Sequence, residues 1–423
     1  MTRAVYSLLW WLALPALPLR LWWRGRKERG YRERIGERFG RYAVDVARPA
    51  GRVLWIHAVS LGETRAALPL IERAERARPD LRILLTHMTA TGREAGRALY
   101  GTRVTQAWLP YDVPFAVRRF IAHFKPDAGV LMETELWPNI AAQCARRGIP
   151  LFLVNARLSP RSASRYERVA ALARTMLASL AGISAQTRDD AKRLSALGAH
   201  DVAVAGNLKF DIDVPAALTE WGGRLRQRIG AARAVWIAAS TRDGEEALLL
   251  DALAAHPNAL PPATVTIIVP RHPQRFDAVA DLLKTRGIAF VRRSADVAVP
   301  PDVSVVLGDS LGELPGYYAA ADVAFVGGSL LPLGGQNLIE AIAVGVPTLV
   351  GPHTFNFAEA SARAIEAGAA IRVPDAKTLV ATAGELLRNA GDRAAMRARA
   401  RAFHDAHRGA ADRLWAWLAP RLP

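Results

Sequence analysis

From Gly51 onward, short apolar runs alternate with longer stretches whose apolar residues recur at helical spacing. Arg52 to His57 reads as a strand and Arg65 to Arg76 as a helix. Ile83 to Thr86, Ala128 to Met132, Leu151 to Asn155, Ala181 to Ala185 and Val202 to Ala205 continue the strands. Runs this short and this continuously apolar fit strands covered on both faces, and strand-then-helix repetition is the rhythm of a parallel sheet. A second series follows Asp213-Val214-Pro215: Trp236 to Ala239, Thr264 to Val269, Ala289 to Val291, Val303 to Leu307, Val323 to Val326 and Thr348 to Val350.

Two series of this kind predict an α/β protein of two Rossmann-like domains facing each other across a cleft, at residues 24–213 and 214–423, the last helix free to pack back on the first domain. The length of 423 residues agrees, since single cores stop growing at roughly 250 to 300 residues.

Ahead of both series, Val5 to Leu19 is apolar except for Ser7, and Arg20, Arg24, Arg26, Lys27 and Arg29 follow it. A helix over that run would measure roughly 23 Å, short of a ~30 Å hydrocarbon core. Residues 1–23 are therefore expected to anchor the chain, either spanning with help from Leu21, Trp22 and Trp23 or lying in the surface. Basic residues after the apolar run put the remainder on the cytoplasmic side. No small-residue cleavage site follows, which argues against a removed signal peptide.

The net charge of +17 favours an anionic partner, although arginines spread over helix surfaces would produce the same total. The single cysteine, Cys144, excludes an internal disulfide and any cysteine-built zinc site. Neither the G-x-G-x-x-G fingerprint nor the P-loop is present, so a nucleotide has to be held another way.

Four segments carry candidate chemistry. Ser60-Leu61-Gly62-Glu63 follows the first strand, where open α/β sheets bind ligands, and Glu63 there is either a catalytic carboxylate or the partner of Ser60 in a capping box. Glu133 and Glu135 follow the strand ending at Met132, as a site for a cation, hydroxyl or proton or as solvated acids favoured by the helix dipole. Lys209, in Gly206-Asn207-Leu208-Lys209-Phe210-Asp211, is either a phosphate-neutralising cation or an exposed linker lysine. Asp211-Ile212-Asp213 also matches a D-x-D metal pattern, too short a match and too close to the linker to support a metal site. In the second series, Pro270-Arg271, Gly312-Glu313-Leu314, and the pairs Gly327-Gly328 and Gly334-Gly335 are the candidates for holding a nucleotide. The glycines lead through Gln336 and Asn337 into a helix from Leu338 to Val344, a cradle for phosphate, with Glu340 positioned for a ribose diol or merely solvated.

In order and in kind, these segments resemble the lipid A 3-deoxy-D-manno-octulosonic acid (Kdo) transferases, from Glu37-Arg38-Phe39-Gly40 to Gly351-Pro352-His353-Thr354-Phe355-Asn356-Phe357. The resemblance implies the GT-B architecture. It implies that Glu63 is the general base, that Glu133 and Lys209 support the transition state, and that Pro270, Arg271, Gly312, Glu313, Leu314, Gly335, Gln336, Asn337 and Glu340 contact the CMP of the donor. It further implies inverting transfer of Kdo from CMP-Kdo to a lipid A precursor at the inner membrane, in assembly of the lipopolysaccharide core, with no cofactor, no catalytic metal and no nucleic-acid partner. Two positions depart from the family pattern. Arg242 stands where a Ser-Thr-His-x-Gly-Glu segment has histidine, and Gln336 where Gly-Gly-His-Asn has it. Other readings of the two-domain pattern are a different nucleotide-sugar transferase, an epimerase, or a basic nucleic-acid-binding membrane protein. The last would need aromatics interleaved with basic residues on one face, whereas the charge here is scattered.

Overall fold

The computed structural model describes every residue except Lys27, Val44, Asp45, Ala47 and Asp213. The chain forms two compact units, one of Met1–Asp211 together with Gly409–Pro423, the other of Ile212–Arg408. Residues 409 to 423, which a division at 213/214 assigns to the second domain, thus belong to the first.

In the first unit the strands are β1 (Arg52–His57), β2 (Leu81–His87), β3 (Thr105–Trp108), β4 (Ala128–Met132), β5 (Leu151–Ala156), β6 (Gly182–Ala185) and β7 (Val202–Val204). They form one parallel sheet in the order β3-β2-β1-β4-β5-β6-β7. Val53, Leu54, Trp55 and Ile56 of β1 are all buried, because helices cover both faces and no strand side is left for water. One face packs Phe120, Phe124, Ile140 and Met176; the other packs Leu70 and Ile71 with Leu414, Trp415 and Leu418 of the returning segment. The Asp211 carboxylate fastens that return, accepting the N–H groups of Gly409 at 2.7 Å and Ala411 at 2.6 Å at the start of the helix Ala410–Leu418.

The expected helix from Arg65 to Arg76 is two helices, Leu61–Ala66 and Leu68–Ala77, the second with Pro69 in its first turn, where the missing N–H costs nothing. The apolar N-terminus is likewise two helices, Arg3–Ala13 and Ala16–Arg24, bent by 63° at the break that holds Pro15. Leu17 and Leu21 are buried with Tyr31, Tyr111 and Val113, while Leu8, Leu9, Leu12, Leu19, Trp22 and Trp23 are exposed. No single helix among the described residues is long and apolar enough to cross a membrane; the bent pair is so by length and composition.

The second unit contains β8 (Val235–Thr241), β9 (Val265–Pro270), β10 (Phe290–Arg292), β11 (Val305–Leu307), β12 (Val323–Val326), β13 (Thr348–Val350) and β14 (Ala370–Arg372). These too are parallel, in the order β10-β11-β9-β8-β12-β13-β14. Trp236, Phe325, Leu349 and Leu379 occupy its core. In both sheets the first strand of the unit lies beside a strand whose connection runs the opposite way: β1 beside β4, and β8 beside β12. Such a reversal opens a crevice at the strands' carboxyl ends, and that is where ligands bind.

Candidate active site

At the reversal of the first sheet, β1 delivers Ser60 to the N-cap of the helix Leu61–Ala66, and its Oγ accepts the Glu63 N–H at 3.4 Å. One carboxyl oxygen of Glu63 accepts the Val59 N–H and the other accepts the Ser60 hydroxyl at 3.4 Å. Cap geometry and an ionisable carboxyl therefore coexist in one conformation. Burial pushes this carboxyl up to about 8, helped by Glu133 and Glu135 and opposed by the Val59 N–H and by Lys209. A carboxylate that binds its proton this tightly is a base matched to neutral pH.

β4 ends at Met132, and Glu133 then turns left-handed with φ +58°, a conformation that costs a non-glycine residue about 1 kcal/mol or more. The strained turn aims its carboxylate at Lys209, whose Nζ lies 2.6 Å from Oε1. Lys209 sits on the short turn Leu208–Phe210, held by two asparagines: Asn207 Oδ1 accepts the Lys209 N–H at 3.0 Å, and Asn155 Oδ1 accepts the Leu208 N–H at 3.0 Å. Glu135 is raised to about 7, by burial and then by Glu133. His57, although at the end of β1, is no candidate for proton transfer, since burial and His87 drive it down to about 3. The structure thus brings Glu63, Glu133 and Lys209 into one electrostatically coupled group. Asn155 was missed by the sequence reading; its signal is a polar residue closing an otherwise apolar strand.

At the reversal of the second sheet, the buried Glu245 carboxylate accepts the N–H groups of Arg242 at 2.9 Å, Gly328 at 2.6 Å, Ser329 at 2.9 Å and Leu330 at 2.9 Å. It shapes the glycine loop after β12, and the sequence reading did not assign it a role. Gly328 has φ +69°, and a Cβ there would lie 3.1 Å from Gln336 Nε2 and 3.4 Å from Arg242 Cγ. The two departures from the family pattern therefore border the same glycine. Arg271, just past β9, donates from Nε to Gln336 Oε1 at 3.1 Å and from its backbone to Thr241 O at 2.9 Å. Burial and then Arg271, Arg242 and Arg275 hold His272 below its ordinary value, a sign of positive potential at this end of the sheet. Asn337 accepts the Ile339 N–H at 3.1 Å and donates to Glu340 at 3.1 Å at the start of the helix Ile339–Val344, one residue later than expected. Pro270 closes β9. Gly312 is left-handed at φ +79°, Leu314 begins the helix Leu314–Ala320, and Glu313 between them is engaged by Arg293 at 2.9 Å. The described contacts thus join Arg271 to Gln336 and Asn337 to Glu340, while Glu313 is turned to a different partner.

Among the described residues no group of three or more His, Cys, Asp or Glu is placed to hold a metal ion. Of the D-x-D pattern, Asp211 is occupied in capping the helix Ala410–Leu418, and Asp213 lies outside the described residues.

The family model for 3-deoxy-D-manno-octulosonic-acid transferase (kdotransferase) matches residues 33–212. The 3-deoxy-D-manno-octulosonic acid transferase of Bordetella pertussis is 46% identical, over 99% of this chain and 100% of that protein. The solved C-terminal CMP-Kdo binding domain of WaaA from Acinetobacter baumannii is 35% identical over 44% of this chain and 97% of its own, with a TM-score of 0.42. The UDP-GlcNAc 2-epimerase of Neisseria meningitidis covers 88% of this chain and 100% of its own at a TM-score of 0.55 and 16% identity, a likeness of fold alone. Full-length identity decides between transferase and epimerase: the chain is a GT-B glycosyltransferase and belongs to the 3-deoxy-D-manno-octulosonic acid transferase family.

Proposed function

We propose that this transferase moves Kdo from CMP-Kdo to a hydroxyl of a lipid A precursor, with inversion, in lipopolysaccharide core assembly. The acceptor hydroxyl gives its proton to Glu63 as its oxygen bonds to C2 of Kdo, and the C2–O bond to phosphate breaks with the electron pair leaving on CMP. The observation that carries this assignment is the Glu63 carboxyl, raised to about 8 at the sheet reversal beside Glu133 and Lys209. Lys209 and Glu133 support the charge that develops in the transition state. Arg271, with Gln336 and the loop after β12, supplies the cationic and N–H donors suited to a leaving phosphate. Purified protein is incubated with CMP-Kdo and a tetra-acylated lipid A precursor, and product masses are read. Products heavier by whole Kdo residues are expected, at a rate nearly unchanged by excess EDTA. No mass gain sinks the reaction, and a rate lost to EDTA and restored by magnesium sinks its metal-free form.

The same reading sets the catalytic units on the cytoplasmic side of the inner membrane. The bent helix pair lies in the bilayer surface, with Leu8, Leu9, Leu12, Leu19, Trp22 and Trp23 in the acyl boundary and Arg20 and Arg24 at the head groups. What supports lying over spanning is the 63° bend and the burial of Leu17 and Leu21 in the first unit. Replacing Leu8, Leu12 and Trp23 by aspartate, which leaves Leu17 and Leu21 in place, is expected to release the protein from vesicles. Retention at high salt would remove this assignment.

A further inference from the structure

Behind the turn that carries Glu63, the first unit holds a cavity of about 320 Å³ between the short turn Arg29–Arg32 and the start of the helix Ala90–Tyr100. Arg29, Glu33, Thr91, Arg93, Glu94 and Trp108 are among its walls. Arg93 is only 4% exposed, its guanidinium stacked over the Trp108 ring at 4.7 Å and its Nη1 3.5 Å from Glu37 Oε2. Its Nε has no hydrogen-bond partner among the described residues. Nε and Nη1 are both closed to solvent, so a ligand in the cavity would meet this cation at Nη2. Ala90 and Thr91, first-turn residues of the helix, line the same space and add the positive end of its dipole. Opposite these stand acidic side chains, of which Glu33 is paired with Arg97 at 3.0 Å. Guanidinium for phosphate, carboxylates for hydroxyls and an indole face for a ring together make a lining for a phosphorylated sugar.

Two connections give this cavity its place in the reaction. Its helix packs directly on the turn of the base: a Cβ on Gly92 would lie 3.1 Å from the Val59 and Ser60 backbone, and Thr89 Oγ1 donates to Val59 O at 2.9 Å. The N–H of that same Val59 is held by Glu63. Its other wall is tied to the exposed apolar helices, where Arg32 Nη2 donates to Trp22 O at 3.0 Å. An amphipathic substrate with its tails along Leu19 and Trp22 would meet the cavity with its phosphate and the Glu63 turn with its hydroxyl.

We propose that this cavity seats the phosphorylated sugar end of the acceptor glycolipid, with Arg93 binding the phosphate; the assignment of the ligand rests on the acceptor reading above. The test is calorimetric titration of the full-length protein with glucosamine 1-phosphate, glucosamine and inorganic phosphate. Glucosamine 1-phosphate is expected to bind tightest, with affinity lost by about 10- to 100-fold in Arg93→Gln, the range for a hydrogen bond to a charged group. Because Arg93 also packs Trp108, Thr91→Glu is the second variant: an acid in the first helical turn favours folding and repels a phosphate. Equal binding of glucosamine and its phosphate, or unaltered binding by Thr91→Glu, overturns the proposal. Displacement of the phosphosugar by phosphatidylglycerol vesicles does so too, in favour of a phospholipid head group. The titration involves no transfer, so a chain that binds the phosphosugar but moves no Kdo sinks the reaction and keeps the cavity.

Discussion

Glu63 and Glu245 occupy matching positions, each buried after a glycine just past the first strand of its sheet, where strand order reverses, yet their surroundings differ. Glu245 accepts four backbone N–H groups, so its two oxygens are saturated by the loop they shape. Glu63 accepts one backbone N–H and one weak hydroxyl contact, and faces two further carboxylates. The first carboxylate is an internal strut and the second is left hungry for a proton. Position in the fold selects where a glutamate is placed, and the donors around it select what it does.

The sharpest way to break that comparison is to neutralise each glutamate without changing its size. Glu63→Gln is expected to lose turnover by about 10²- to 10⁴-fold with no loss of stability, as for a lost general base. Ser60→Ala costs about 1 kcal/mol of stability and stays active, because only the cap is touched. Retention of more than about a tenth of turnover by Glu63→Gln under saturating substrates would falsify the base. Glu245→Gln is expected to behave the other way, losing about 2 to 3 kcal/mol of stability along with CMP binding. A well-folded Glu245→Gln with a selective loss of kcat would make the two glutamates alike.

Next in size is the pH response. Since Glu63 must be ionised to act, kcat/KM should fall as pH drops through about 8. Stability carries the opposite sign: a carboxyl raised by folding stabilises the protein below the ordinary glutamate range and loses that contribution as pH rises through about 8. Melting temperatures of wild type and Glu63→Gln should therefore converge near pH 4 and draw apart as pH rises toward about 8, the variant being the more stable. A constant offset across that range would mean that Glu63 does not titrate where its burial puts it. The limb of the rate profile itself should move up in Lys209→Met and down in Glu133→Gln, as removal of a positive or a negative neighbour requires. Movement in the same direction in both would show that these side chains act on rate by some route other than the charge on Glu63.

The smallest expected effect belongs to Gly328→Ala, about 1 kcal/mol of stability from its left-handed backbone. It should also weaken CMP binding, because the new methyl meets Gln336 and Arg242. Unchanged CMP affinity would detach that loop from the donor.

Strands β1, β4, β12 and β13 were legible to the residue, because each is a short apolar run buried on both sides. β3 was not, since Thr105 and Gln106 open it with polar side chains. β14 was missed because Ile371 and Arg372 are exposed at a sheet edge. In the site, Glu63, Glu133 and Lys209 could be named one at a time, each from its place at a strand end. The supports could not, because they act over distance: Asn155 holds Leu208 across 53 residues and Glu245 holds Gly328 across 83. The choice between cap and base was unreadable for another reason, as both depend on the same Ser60-to-Glu63 spacing, and the cap hydrogen bonds that the structure shows leave the carboxyl free to ionise.

The return of Gly409–Pro423 to the first unit makes the second unit an insertion within it. On the ribosome, the second unit has been synthesised in full before Leu414, Trp415 and Leu418 exist to close the core of the first. The unit that carries Glu63 is therefore the later of the two to be completed. Until Gly409 and Ala411 reach Asp211, a growing chain carries Glu63 on a sheet with one face only partly covered.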